Sequence, residues 1–344
     1  MINTEPNSCE SLNSKAIKKI KEFVEDQSVV YIATTYLDYL RIQQELSLLK
    51  KYAKNVHIIV SNRKSYFLRI VYVYFRSLFF FQKTDIIFIG FAPQLVLPFL
   101  KWRFTRKKVI TDFFISLYDT LVMDRKKFLQ GSLISKILAF FDKITLKWSD
   151  LVISDTRTHA SYFVSEFGCV KEKVVTLYLQ ADRKYYYPKQ IEKPSELKNK
   201  FIVLYFGSVL PLQGTEVIIE AINQCENDNI FFIMIGPLDK GACFKKNVKF
   251  INWLSQPKLS DYIAMSDLCL AGHFNAEIKK ASRTIPGKAY ICEAMNKHII
   301  LGENEANRER YPVCYSNVDF VEMGSASILM SIIELKYKEW LNEF

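Results

Sequence analysis

Residues 201–222 read FIVLYFGSVLPLQGTEVIIEAI. Six apolar residues, Phe201–Phe206, run without a break into Gly207, and a second glycine, Gly214, opens a segment with apolar residues at helical spacing. An unbroken apolar run of this length reads as a strand buried on both faces. With the loop and helix that follow, it forms one βα unit of a parallel sheet.

The same alternation extends in both directions. Upstream, strands are predicted at Val29–Thr34, Val56–Val60, Asp85–Phe91, Lys108–Phe113, Leu151–Asp155 and Val174–Leu179. Helical patterns lie between them at Leu37–Lys54, Lys64–Phe81, Pro93–Phe104, Phe128–Trp148 and Arg157–Phe167. Downstream, strands are predicted at Ile230–Ile235, Val248–Trp253, Leu268–Ala271, His298–Leu301 and Val313–Tyr315. Helices are predicted at Thr215–Cys225, Lys258–Met265, Gly287–Asn296 and near Ser325–Leu341. The stretch 183–200, RKYYYPKQIEKPSELKNK, is polar, holds two prolines and reads as a linker. The fold class is therefore α/β, with two doubly wound parallel sheets. Ligands of such sheets bind at the carboxyl ends of the strands.

At 344 residues, 49% apolar and 24% charged, the chain is globular and long enough for two cores. Seven cysteines with no CxxC spacing read as reduced thiols in a cytoplasmic protein. The polar, mixed-charge first thirty residues do not read as a signal peptide. The net charge of +11 is uneven: residues 1–190 carry +13 and residues 191–344 carry −2. A basic front half calls for an anionic partner. Nucleic acid fits poorly, because the basic residues are interleaved with long apolar segments and no reading motif occurs. The apolar runs around residues 65–81 and 86–100 are too short or too charged to span a bilayer. They fit either an aromatic core or a face lying on a membrane, with Arg69, Arg76, Lys83, Lys101, Arg103, Arg106, Lys107 and Lys108 near the headgroups.

Several chemistries lack their residues. There is no GxGxxG, no GxxxxGK[ST], no GxSxG and no DxD, and the four histidines (57, 159, 273 and 298) have no i, i+4 pair. No metal is expected. What remains is anion binding. The loop from Gly207 and Ser208 to Gly214 opens a helix, and free N–H groups at a helix start cradle phosphate. The same loop is also an ordinary βα connection. Farther on, Pro286 suits the first turn of a helix, and Arg283 and Lys288 flank that start. Glu293 lies five residues beyond Lys288, where a carboxylate accepts from sugar hydroxyls. A solvated helix cap and a surface ion pair account equally well for these three.

At these residues the sequence resembles the GT-B glycosyltransferases, in the retaining group 1 (family 4-like) set that builds bacterial surface polysaccharides. FGSVLPLQG looks like that family's donor-phosphate loop, and IPGKAYICEAM followed by HIILGENEANRE looks like its nucleotide-sugar motif. WLSQPKLSDYIAMSDLCLAG resembles the element between them, and DFFISLYDTLVMDR and DLVISDT resemble front-half segments linked to lipid-linked saccharide synthesis. There are departures. The first of the family's two glutamates falls on Ile285, its loop cations on Ser208 and Gln213, and its usual front-half His on Asp112.

The resemblance implies two Rossmann-like domains facing a central cleft. Residues 1–190 would bind the acceptor and 191–324 the nucleotide sugar, with a final helix at 325–344 returning to the first domain. It implies transfer of a sugar from a nucleotide diphosphate to a saccharide or polyprenyl-diphosphate-linked acceptor, with retention and without metal or cofactor. Arg283 and Lys288 would hold the diphosphate, with Gly207 and Ser208 at the phosphates by backbone. Pro286 would start the binding helix and Glu293 would take the ribose. His273 and Phe274 would lie at the donor sugar, and Asp112 and Asp119 on the acceptor side. The basic half would sit on the inner face of the cytoplasmic membrane. The alternative from another class is a degenerate GT-B scaffold that partners another transferase.

Overall fold

The computed structural model describes residues 9–80, 83–238, 241, 243, 245–312 and 315–342. They form two compact units, residues 1–180 and 181–344 by the division of the chain.

The first unit contains α1 (Cys9–Val24), β1 (Ser28–Ala33), α2 (Leu40–Tyr52), β2 (Asn55–Ile59), α3 (Tyr66–Leu78) and β3 (Ile86–Phe91). It continues with α4 (Leu97–Leu100), β4 (Lys108–Asp112), α5 (Leu133–Trp148), β5 (Leu151–Ser154), α6 (Arg157–Phe167) and β6 (Val174–Thr176). All strands are parallel, in the order β2-β1-β3-β4-β5-β6. β1 and β3 are neighbours, and the chain leaves them in opposite directions across the sheet. That is the topological switch point, where a crevice forms beyond the carboxyl ends of two strands. One face of the sheet packs on α1 and α2 through Ile20, Ile42 and Leu46. The other packs on α3 and the segment 96–104 through Val73, Leu97, Leu100 and Phe104.

The second unit contains β7 (Phe201–Phe206), α7 (Thr215–Gln224), β8 (Ile230–Ile235), β9 (Val248–Ile251), α8 (Gln256–Met265) and β10 (Leu268–Leu270). It ends with α9 (Gly287–Ala294), β11 (His298–Gly302), α10 (Glu305–Arg310), β12 (Val318–Val321) and α11 (Ala326–Asn342). Its parallel order is β12-β11-β10-β7-β8-β9, so its switch point lies between β7 and β10. β7 is buried at all six positions, as its unbroken apolar run predicts.

Three expectations are corrected, and a fourth falls on residues outside the described ones. The helix expected over Pro93–Phe104 is three short turns, because Pro98 has no N–H to continue the ladder. The strand expected at Val313–Tyr315 starts on residues 313 and 314, outside the described residues, and the edge strand is β12. The domain boundary falls at residue 180 rather than 190. The segment expected to be a linker is tied to α8, where Ser260 Oγ donates to Tyr185 O at 2.6 Å and Lys189 pairs with Asp261 at 2.6 Å. The last helix, expected to return to the first unit, packs in the second. Leu329, Met330 and Ile333 join the core around α7, and Tyr337 and Trp340 lie on Phe201.

Candidate functional site

The second unit's switch point gathers the loop after β7, the loop after β10 and the start of α9. Gly207 has φ +146°, and a Cβ there would stand 3.3 Å from Gln213 Oε1 and 3.9 Å from Lys288 Nζ. Gly214 has φ +63°, and a Cβ there would fall 2.6 Å from the backbone of Phe274 and Asn275. The two loops therefore pack backbone to backbone, joined by Phe274 N–H donating to Gln213 O at 3.2 Å.

Lys288 is the chemical centre of this cluster. It is buried, and its Nζ donates to Gln213 Oε1 at 3.0 Å and lies 3.8 Å from the Tyr205 ring centre. Tyr205 Oη donates to the same Gln213 oxygen. No carboxylate pairs with Lys288 among the described residues. Burial pulls its pKa from 10.5 to about 7. A buried cation held only by an amide oxygen and a ring face is short of an anion.

The other sequence-stretch candidates fall into place around it. Pro286 is the residue before the first helical turn, one position earlier than expected, with φ −67° and ψ 142°. Arg283 is half-buried in the turn between residues 279–282 and α9. Ser208 is exposed beside Gly207. His273 is buried, its Nδ1 is 3.4 Å from Ala281 O, and burial followed by the charge of Lys288 pulls its pKa to about 3. It is a neutral ring at any ordinary pH. Phe274 is buried in the core around β7, so it offers a peptide group to this cluster and not its ring. Glu293 is one turn and a half along α9 and 29% exposed. One carboxylate oxygen accepts from Arg310 Nη2 and the other from Tyr311 Oη at 3.0 Å. A carboxylate has about four acceptor positions, so two remain for hydroxyls.

Gln213, Tyr205, Arg310 and Tyr311 were not singled out from the sequence. Gln213 had a signal: it stands where the resemblance expects a cation, and here its amide oxygen receives Lys288 instead.

In the first unit, the two acceptor-side candidates are buried. Both Asp112 oxygens accept from Arg41, through Nε and through Nη2 at 3.3 Å. Arg41 Nη1 also donates to Leu177 O. Burial, and then the Asp112 charge, push the Glu45 carboxyl well above the usual carboxylate range. Glu45 accepts from Tyr31 Oη. Asp112 is thus tied to Arg41 through both oxygens, a structural role beside the acceptor-side one expected for it. Asp119 is also fully buried, at the start of a π-helical turn, Asp119–Asp124. That turn is set by Asp142, which accepts from Ser116 Oγ at 2.6 Å, Leu117 N–H at 3.0 Å and Tyr118 N–H at 2.9 Å. Arg69, expected among the membrane-facing cations, is buried between two tyrosines.

No protein-family model matches the chain, and no curated protein matches it in sequence. Solved structures do match. HepE from Anabaena, crystallised with UDP, has 14% identity and a TM-score of 0.62 over 91% of this chain and 90% of its own. Sucrose-phosphate synthase from Thermosynechococcus elongatus has 11% identity and a TM-score of 0.65 over 91% and 90%. The catalytic domain of starch synthase IV from Arabidopsis thaliana, bound to ADP and acarbose, has 11% identity and a TM-score of 0.63 over 92% of each. The chain has the GT-B fold. This likeness spans both units and rests on shape alone, since so little of the sequence is shared. Among the described residues, no helix is long and apolar enough to cross a membrane.

Proposed function

We propose that this protein is a glycosyltransferase whose second unit binds a nucleotide-diphosphate sugar at Lys288. The observation that carries this reading is the buried Lys288 amine with no anionic partner among the described residues, set at the loop after β7 at the switch point of a GT-B unit. A diphosphate at that amine, at the start of α9 and beside the Gly207 and Ser208 backbone, supplies the missing negative charge. Arg283 is the second cation of this site and Glu293 the acceptor of ribose hydroxyls.

The reaction follows from the charges. The bond from the anomeric carbon to the diphosphate oxygen breaks, and the acceptor hydroxyl oxygen bonds to that carbon. The hydroxyl proton passes to the departing phosphate oxygen, so no protein base is needed. Negative charge grows on the diphosphate as it leaves, and fixed cations with helix-start amides stabilise it. This chemistry gives retention and uses no metal. The acceptor is a saccharide or polyprenyl-diphosphate-linked saccharide of bacterial surface-polysaccharide synthesis.

A lipid-linked acceptor requires a membrane, and we assign the outward face of α3 and α5 to an anionic bilayer. Leu68 and Phe75 on α3, Phe79 just after it, Trp102, and Ile137 and Phe140 on α5 are exposed. Arg103 Nη2 donates to Phe80 O at 2.8 Å and Phe99 lies 5.4 Å from Phe141, which ties α3, residues 99–103 and α5 into one layer. Residues 61–149 hold sixteen Lys and Arg against five Asp, of which Asp112, Asp119, Asp124 and Asp142 are buried. An aromatic face ringed by cations suits an anionic lipid surface and repels a second copy of itself.

The deciding experiment is a thermal-shift screen against UDP, GDP, ADP, CMP and dTDP, with and without EDTA, on the full chain and on Lys288→Gln. Stabilisation of the native protein by one nucleotide at about 100 Kd amounts to about 2.7 kcal/mol. That shift, unaffected by EDTA and absent in Lys288→Gln, is the expected result. No response to any nucleotide would favour the scaffold alternative.

A further inference from the structure

Three arginines are buried among the described residues. Arg41 is paired with Asp112 and Arg310 with Glu293. Arg69 has no such partner among the described residues. Its Nε and Nη1 are buried without a hydrogen bond, and its guanidinium is held 4.1 Å from the Tyr36 ring centre and 5.1 Å from that of Tyr66. A guanidinium withdrawn from water with two donor atoms unmet costs free energy that ring faces offset only in part.

Its place in the fold gives this cost a purpose. Tyr36 follows β1, and Arg69 is in the first turns of α3, which starts at Tyr66 with Ser65 as its cap. Thr34, at the carboxyl end of β1, donates to Phe91 O at 3.4 Å and lies 3.4 Å from Tyr66 Oη. Phe91 ends β3, so the caged arginine stands at the switch point between β1 and β3. A cluster of three rings adjoins it: Tyr39, Phe91 and Phe114 have centres 5.6 to 6.0 Å apart, and Tyr39 is exposed. A cation lacking an anion thus sits beside a partly open aromatic platform, in the crevice where parallel sheets take their ligands.

We propose that Arg69 receives an anionic phosphate group of the acceptor, whose sugar ring or apolar chain lies on Tyr39 and Phe114. The phosphate accepts from the guanidinium, and the two flanking tyrosines keep its plane fixed for it. This assignment rests on the acceptor half of the function proposed above, and concerns a different unit from the donor site.

The test uses calorimetry on the full chain, first with UDP alone, then at saturating UDP with three probes: inorganic pyrophosphate, glucose 6-phosphate and farnesyl diphosphate. At least one probe should bind alongside UDP. Its affinity should fall roughly 10- to 100-fold in Arg69→Gln, the loss expected for a charge-assisted pair. Tighter binding of farnesyl diphosphate than of pyrophosphate marks a lipid-linked source, and preference for glucose 6-phosphate marks a soluble one. Should Arg69→Gln not fold, Tyr36→Leu, at a partly exposed ring, is expected to weaken the same probe. UDP binding with no second phosphate bound, or equal probe affinities in the native chain and the variants, overturns the proposal. Absence of UDP binding would instead sink the donor site. Probe binding lost in Arg69→Gln would still stand in that case.

Discussion

The Lys288 amine lies 3.8 Å above the centre of the Tyr205 ring, inside the protein and with no carboxylate paired to it among the described residues. Burial holds its pKa at about 7, and a bound diphosphate would raise it. Nucleotide affinity should therefore be set by a protonated Lys288 below pH 7 and decline as pH rises above it, by up to about tenfold per pH unit. Titration at pH 8 in two buffers of different ionisation enthalpy should show proton uptake. Lys288→Arg, charged throughout, should flatten the profile. The same shift affects the free protein. Between about 7 and 10.5 the unfolded chain binds this proton and the folded chain does not, so this residue adds stability as pH rises.

Catalysis is expected to depend on the same amine. Lys288→Ala removes a fixed cation from the leaving group and should lower the rate by about 10²–10³-fold. It also removes a desolvated charge, so its melting temperature should not fall with its activity. Turnover assays beside thermal denaturation separate the two effects, and a variant with native turnover would remove Lys288 from the mechanism.

Asp112→Asn tests whether that residue has a structural or an acceptor-binding role. It strands Arg41 in the interior, which typically costs about 3–5 kcal/mol. Urea denaturation should show that loss, whereas an acceptor-binding role would instead show native stability and a raised KM.

Glu293 is expected to serve both stability and binding. Arg310 is fully buried and donates to Glu293 and, at 3.0 Å, to Tyr315 Oη. Glu293→Ala should cost stability through the orphaned Arg310 and also weaken a ribonucleotide. Glu293→Gln, with the acceptor oxygen kept, should recover more of the nucleotide affinity than of the stability. Equal recovery of both in paired denaturation and binding curves would count against the ribose role.

The membrane assignment is checked by flotation. The protein should rise with vesicles of phosphatidylcholine and phosphatidylglycerol, and much less with phosphatidylcholine alone. Lys136→Gln and Lys143→Gln should each lower partition about fivefold, at about 1 kcal/mol per cation. Phe75→Ser with Phe79→Ser, at exposed sites, should lower it without a change in stability. Flotation indifferent to both pairs would place the contact elsewhere.

Sequence pattern reached the strands with most accuracy where burial is two-sided. Phe201–Phe206 and Ile230–Ile235 match their strands end to end, because uninterrupted apolar runs leave no choice of boundary. The α6 helix, Arg157–Phe167, was equally plain, with Thr156 capping it and Gly168 ending it at φ 65°. By contrast, α1 went unpredicted, since its apolar stripe of Ala16, Ile20 and Val24 is thin among charged residues. The donor-side cluster was legible in outline because Lys288 and its neighbours sit on short motifs. What it lacked was Gln213, whose oxygen meets Lys288 across 75 residues. The partners of the first unit's buried residues were hidden for the same reason. Nothing local to Asp112 announces Arg41, 71 residues away, and nothing near Arg69 announces the ring of Tyr36.

The second unit is closed upon itself by its last helix. Tyr337 and Trp340 of α11 lie on Phe201, the first residue of β7, and Lys193 stands 5.2 Å from the Trp340 ring centre. The beginning and the end of this half are thereby clasped together. Such a half is a cassette: grafted whole behind a foreign first unit, it should carry with it the nucleotide site proposed at Lys288. Exchange of halves between enzymes of this architecture would then recombine donors and acceptors without redesigning either, provided the graft keeps Lys193 and Trp340 on the same side of the junction.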